Sequence, residues 1–261
     1  MCLIAWNWQP DNPAPLLLIA NRDEFYARPT APLDWWQDAP ILAGRDLQAG
    51  GTWLGVSHSG RLAALTNHRA PESQRADAPS RGALVSGFLQ SEVSAEDYLG
   101  ELAGHAADYN PFNLLVFDGT RLMGLESRHA KVMPIQPGIG AVSNADFLTP
   151  WPKLTRLSGD LQTLLAQAHP SDAELLALLH NPVPALDADL PVTGIPMALE
   201  RALSAAFVAL PDYGTRACSV VRFEAGQIAF LEQSFDADGS IGTRQVTTTF
   251  QCTLSRQTTL R

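Results

Sequence analysis

Strand-like and helix-like periodicities occupy separate blocks of this chain, and that segregation narrows the folds open to it. Leu3 to Trp8 and Leu16 to Asn21 read as short apolar strands joined by the turn-rich Gln9-Pro10-Asp11-Asn12-Pro13. An irregular stretch with Pro29, Pro32 and Pro40 follows. Gly51 to Val56 and Arg61 to Thr66 then form a hairpin around Ser57-His58-Ser59-Gly60, and residues 68–80 form a loop. From Arg81 the apolar spacing changes to three and four, through Leu84, Val85, Phe88 and Leu89 and then Tyr98, Leu99 and Leu102. Strands return at Phe112 to Phe117, Arg121 to Glu126, Lys131 to Ile135 and Ile139 to Ser143. Helical spacing resumes over Leu154 to Leu165 and Leu175 to Leu179. Residues 181–197 are proline-rich, a loop over the surface or near a site. Ala217 to Phe223, Gln227 to Glu232 and Gln245 to Leu254 close the chain as strands. Runs of this kind predict an α+β fold, helices layered on mostly antiparallel sheets. With no linker or repeat, residues 1–261 are read as one domain.

Composition removes several functions. A 46% apolar content over 261 residues supports a sizeable core, and the net charge is −9. An acidic chain without a basic cluster is a poor partner for nucleic acid or for anionic membranes. No stretch reaches the ~18 uncharged apolar residues of a membrane span, and no basic-then-apolar leader is visible. Cys2, Cys218 and Cys252 have no metal-like spacing, and neither do His58, His68, His105, His129, His169 and His180. Neither a metal nor a cofactor is expected, and a reducing cytoplasm is the expected compartment.

What chemistry remains centres on Cys2. Aminopeptidases remove a starting methionine when a small residue follows, which would leave one residue carrying both a thiol and a free α-amine. An amine titrating near ~8 is able to serve as base for the thiol. The alternative is a small apolar residue opening a strand. Asn21-Arg22-Asp23-Glu24 ends an apolar run, so polar groups are delivered to the rim of the core. Alternation puts Asn21 and Asp23 on one face and Arg22 and Glu24 on the other; Asp23 is the carboxylate expected to face Cys2 and hold its amine. Asn67 and Asn144 end strands, either as uncharged oxyanion donors or as Asx-turn caps. Arg216 opens a late strand, where it steadies a polar cluster or lies on the surface. His68 lines a site or a solvated loop, and Trp53, with Trp35, Trp36, Phe25 and Tyr26, floors an apolar pocket or packs the core.

Together, Met1-Cys2, Asn21-Arg22-Asp23-Glu24, Gly50-Gly51-Thr52-Trp53-Leu54-Gly55, Leu65-Thr66-Asn67 and Tyr213-Gly214-Thr215-Arg216 resemble the NRDE-motif proteins of the transport and Golgi organisation protein 2 family. That resemblance implies an N-terminal-nucleophile hydrolase fold, a four-layer αββα sandwich, and links to haem mobilisation and to Golgi and lipid homeostasis. The chain is similar, more distantly, to bile-salt hydrolases and penicillin V acylases. Their pattern implies catalytic roles for Cys2, Asp23, Asn67, Asn144 and Arg216. Substrate contacts are expected from Asn21, Arg22, Trp53 and His68. The arginine that precedes the Asn-x-Asp element in those enzymes is Ala20 here, and Arg22 is expected on the opposite strand face, unable to replace it. Three readings follow: an amide or acyl hydrolase on a small molecule, a carrier for an apolar ligand such as haem or lipid, or a scaffold.

Overall fold

The structure is a computed structural model that describes residues 2–167 and 169–250. Met1, Cys252 and residues 251–254 of the last expected strand lie outside them. In chain order the strands are β1 (Cys2–Trp8), β2 (Leu16–Phe25), β3 (Thr30–Trp35), β4 (Ile41–Asp46), β5 (Leu54–Ser57), β6 (Leu62–Asn67), β7 (Phe112–Phe117), β8 (Leu122–Glu126), β9 (Lys131–Pro134), β10 (Gly138–Val142), β11 (Tyr213–Glu224), β12 (Gln227–Asp236) and β13 (Gly239–Thr249). The helices are α1 (Gly82–Gln90), α2 (Ala95–Ala103), α3 (Pro152–Gln167), α4 (Asp172–Leu179) and α5 (Met197–Ala202). One sheet runs β10-β1-β2-β11-β12-β13 and the other is the meander β3 to β9. Every strand pairing in both is antiparallel.

Side-chain alternation explains the layers. Ile4, Trp6, Trp8, Leu16, Leu18 and Ala20 point between the sheets, against Val56, Leu62, Ala64, Leu115 and Phe117. Their neighbours Leu3, Ala5, Leu17 and Ile19 point outward, onto Leu154, Leu157 and Leu161 of α3 and Leu175 and Leu179 of α4. The meander does the same, placing Ala63, Leu65, Leu114 and Val116 under α1 and α2. Strands covered on both faces need apolar residues at every position, hence the unbroken runs. The result is the four-layer αββα sandwich. No helix of the described residues is long and apolar enough to cross a membrane.

Three local features depart from the expectation. β2 runs on through Phe25, so Asn21-Arg22-Asp23-Glu24 lies inside a strand, paired with β1 and β11 on either side. The proline-bearing stretch forms β3 and β4. Pro32 is tolerated because β3 is an edge strand with a register shift between Ala31 and Asp34. The proline-rich segment 181–197 leads into α5, and Thr193 is held there by the Glu200 carboxylate through both its N–H and its hydroxyl.

Candidate active site

A cavity of about 660 Å³ opens where the ends of the two sheets face each other. Cys2, Arg22, Asp23, Glu24 and Arg216 line it from one sheet, and Trp53 and Asn67 from the other. Cys2 heads β1, an interior strand, and only 6% of its surface is exposed. Burial pushes its thiol above the ordinary cysteine range; the Asp23 carboxylate adds to this and the Arg22 guanidinium opposes it. The resting group is therefore a thiol, and a base is needed to make it a nucleophile.

Asp23 is fully buried on β2. Its Oδ1 accepts the Thr215 hydroxyl at 2.8 Å, its backbone carbonyl accepts the Tyr213 hydroxyl at 2.9 Å, and its Oδ2 lies 4.0 Å from Lys153 Nζ. Two adjacent residues after β10 connect the nucleophile candidate to Asn67. The Ser143 hydroxyl donates to the Cys2 carbonyl at 3.4 Å, and the Asn144 amide donates to the Asn67 carbonyl at 2.8 Å. Asn67 is half-buried at the cavity wall, and among the described residues its side-chain amide makes no hydrogen bond. Asn144 itself is fully buried behind Asn67 and does not line the cavity. It is placed to hold Asn67 rather than to touch a ligand.

Arg216 is the extra residue of a β-bulge between Thr215 and Ala217, where β11 passes β2. The bulge aims its guanidinium at the main chain. Nη1 donates to the carbonyls of Phe25, Tyr26 and Arg28, and Nε to that of Phe235. Arg216 thus shapes the rim of the cavity by holding the turn after β2.

Four expectations are revised by this geometry. Arg22 is the cross-strand partner of Cys2, so the two side chains share the inner face, with Ala20 two residues away on that face. The expectation that Arg22 lies on the wrong face to replace the missing arginine is therefore corrected. Asp23 lies on the other face of β2 and reaches the site at the strand end. Asn21 shares that outer face: its amide donates to the carbonyls of Leu179 and Ala206, both at 2.8 Å, and it does not line the cavity. His68 is also outside the cavity, buried beside Arg128 and Asp146. Burial, then Arg128, hold its pKa below the ordinary histidine value. Trp53 lines the cavity as expected, whereas His58 stacks on Trp35 at 3.7 Å. Among the described residues no group of three or more His, Cys, Asp or Glu is placed to hold a metal ion.

Lys153 and the Arg69–Glu200 pair were not singled out from the sequence. Lys153 falls on the apolar stripe of α3 with Leu157 and Leu161, spaced four apart, and a lysine on such a stripe was the available signal. Arg69 pairs with Glu200 of α5, donates its N–H to the Asn144 carbonyl at 2.7 Å and lies over the Trp151 ring.

Close backbone contact fixes the far wall. A Cβ on Gly51 would stand 2.5 Å from the carbonyl carbon of Gly82, which opens α1. Gly51→Ala is expected to lower the unfolding free energy by about 2 kcal/mol in urea titrations, as overpacking does. Gly159→Ala, in the exposed interior of α3 with nothing near its Cβ, should raise it by up to about 1 kcal/mol. Equal effects at the two glycines would refute the contact.

The protein is thus a four-layer αββα sandwich in which a cysteine heads an interior strand at a cavity. The chain belongs to the Transport and Golgi organisation 2 family, which its residues 1–237 match. The transport and Golgi organization protein 2 homolog of Bos taurus is 36% identical over 276 residues, covering 96% of this chain and 98% of that one. The human homolog is 37% identical, covering 90% and 93%. Among solved structures, the C2A variant of a conjugated bile acid hydrolase from Clostridium perfringens gives a TM-score of 0.49 at 10% identity, covering 97% of this chain and 98% of that one.

Proposed function

We propose that this protein is an N-terminal cysteine hydrolase acting on a linear amide or acyl bond of a small molecule, through Cys2 after removal of Met1. The observation that carries the reading is a buried cysteine at the head of a strand that still reaches a 660 Å³ cavity beside an uncommitted asparagine amide. The freed α-amine takes the thiol proton as Sγ bonds to the carbonyl carbon. Asn67 donates to the developing oxyanion, held in place by Asn144. When the C–N bond breaks, the ammonium returns its proton to the leaving amine. Water then adds to the thioester, releasing the acid and restoring the thiol. Asp23 holds the amine, and Thr215 and Tyr213 hold Asp23. A cytoplasmic location fits an uncapped, reduced cysteine.

The carrier reading is less well served. Six arginines and four carboxylates line the cavity, and among the described residues no histidine does, so haem held there would lack an imidazole ligand. Intact-mass measurement combined with turnover of N-acyl aminomethylcoumarins of varied chain length tests the proposal. Met1 should be absent, and Cys2→Ala should reduce turnover by at least about a thousandfold. Quantitative retention of Met1, or undiminished turnover by Cys2→Ala, refutes it.

A further inference from the structure

The six arginines of the cavity wall are not equivalent. Arg22 pairs with Glu24 at 3.7 Å, Arg28 with Asp46 at 2.7 Å, Arg45 with Asp38 at 2.8 Å and Arg244 with Asp34 at 2.6 Å. Arg216 is engaged by four main-chain carbonyls. Like Arg216, Arg81 has no ion-pair partner among the described residues, but it also lacks such a set of carbonyls, although it is half-buried. Its side chain makes one hydrogen bond, from Nη1 to the Pro111 carbonyl at 3.1 Å. A guanidinium carries five N–H donors in a planar fork suited to a carboxylate or phosphate. Withdrawing it from water without a counter-charge is unfavourable unless an anion comes to it. The carboxylate whose charge acts on it, Glu24, is already shared between Arg22 and Arg28.

The position is also built. Arg81 immediately precedes α1, whose first residue Gly82 is packed against the main chain of Gly51 and Thr52. Gly51, Thr52, Ser80 and Gly82 all line the same cavity. The guanidinium is thus delivered to the wall opposite the Cys2 sheet by a backbone that has no room to shift.

We infer that Arg81 receives an anionic group of the ligand, a carboxylate or a phosphate-type oxyanion, so that the cavity takes anionic acyl compounds in preference to neutral ones. This rests on reading the cavity as the ligand site, but not on Cys2 being a nucleophile. In an overall acidic chain such a residue also opposes the general repulsion of anions.

Equilibrium binding of 11-(dansylamino)undecanoic acid and of its neutral counterpart, 11-(dansylamino)undecan-1-ol, tests it without any turnover. The intact protein should bind the acid at least about tenfold tighter than the alcohol, as a charge-assisted pair allows. Arg81→Met should bring the two to within about twofold while leaving the alcohol unchanged, and Arg81→Lys should keep part of the preference. Competition by dodecyl phosphate and by lauric acid distinguishes a phosphate-type from a carboxylate ligand. Equal binding of acid and alcohol by the intact protein, no binding of either, or an acid preference that survives Arg81→Met would each overturn the inference. Urea midpoints of both variants establish that they are folded. A hydrolase reading that fails with the acid preference intact would leave an anion-selective binding protein.

Discussion

Arg69→Met is expected to lower the unfolding free energy by about 3–5 kcal/mol, the cost of leaving a buried carboxylate without its partner. Only 5% of the Arg69 side chain and 3% of the Glu200 side chain are exposed, so water does not replace the lost pair. Glu200 also accepts from Thr193, and Arg69 from its main chain holds Asn144, so the pair ties α5 and the proline-rich segment to the exits of β6 and β10. Replacing both members, as Arg69→Met with Glu200→Leu, should recover much of the loss, because no orphan charge remains. Urea titration with an unchanged slope reports both effects. A single variant within about 1 kcal/mol of the parent would show that the pair is solvated.

The second large effect concerns Lys153. Complete burial depresses its pKa from 10.5 to about 8, the Asp23 carboxylate opposing this only in part. Between about pH 8 and 10.5 the unfolded chain therefore binds a proton that the folded chain does not. Stability from this group rises with pH across that window and is absent below it. The full displacement corresponds to about 3 kcal/mol. Tyr213, Cys2 and Cys218, all raised by burial, act in the opposite sense once pH passes their unfolded values. The comparison with Lys153→Met isolates the lysine. Between pH 7.5 and 9.5 the parent should gain about 2 kcal/mol relative to that variant. Parallel stability curves for the two proteins would refute the assignment.

The layers were legible because burial on both faces forces apolar runs, and an unbroken run such as Leu16 to Ala20 leaves little choice of element. Cys2, Asp23, Asn67, Trp53 and Arg216, each singled out by its sequence position, all line the cavity. The facing of Arg22 was not legible. Which residue opposes Cys2 depends on the β1–β2 register, and that is set by the whole pairing and the turn between the strands rather than by the motif. The same limit covers Asn21, which alternation sends to the outer face, against the carbonyls of Leu179 and Ala206. Arg216 shows a related limit: a bulge moves a side chain by one position without any mark in composition. Arg81 carries no mark in the sequence, because its distinction is the lack of an ion-pair partner among the described residues, a property of three-dimensional neighbours.

Both outer strands of the meander carry a proline, Pro32 in β3 and Pro134 in β9. Each position lacks a main-chain donor, and in β3 the neighbouring Leu33 and Trp35 N–H groups are also taken, by the Glu232 and Asp34 carboxylates. That sheet is thereby guarded at both margins against edge-to-edge assembly, and Pro32→Val or Pro134→Val would convert a blocked margin into an adhesive one.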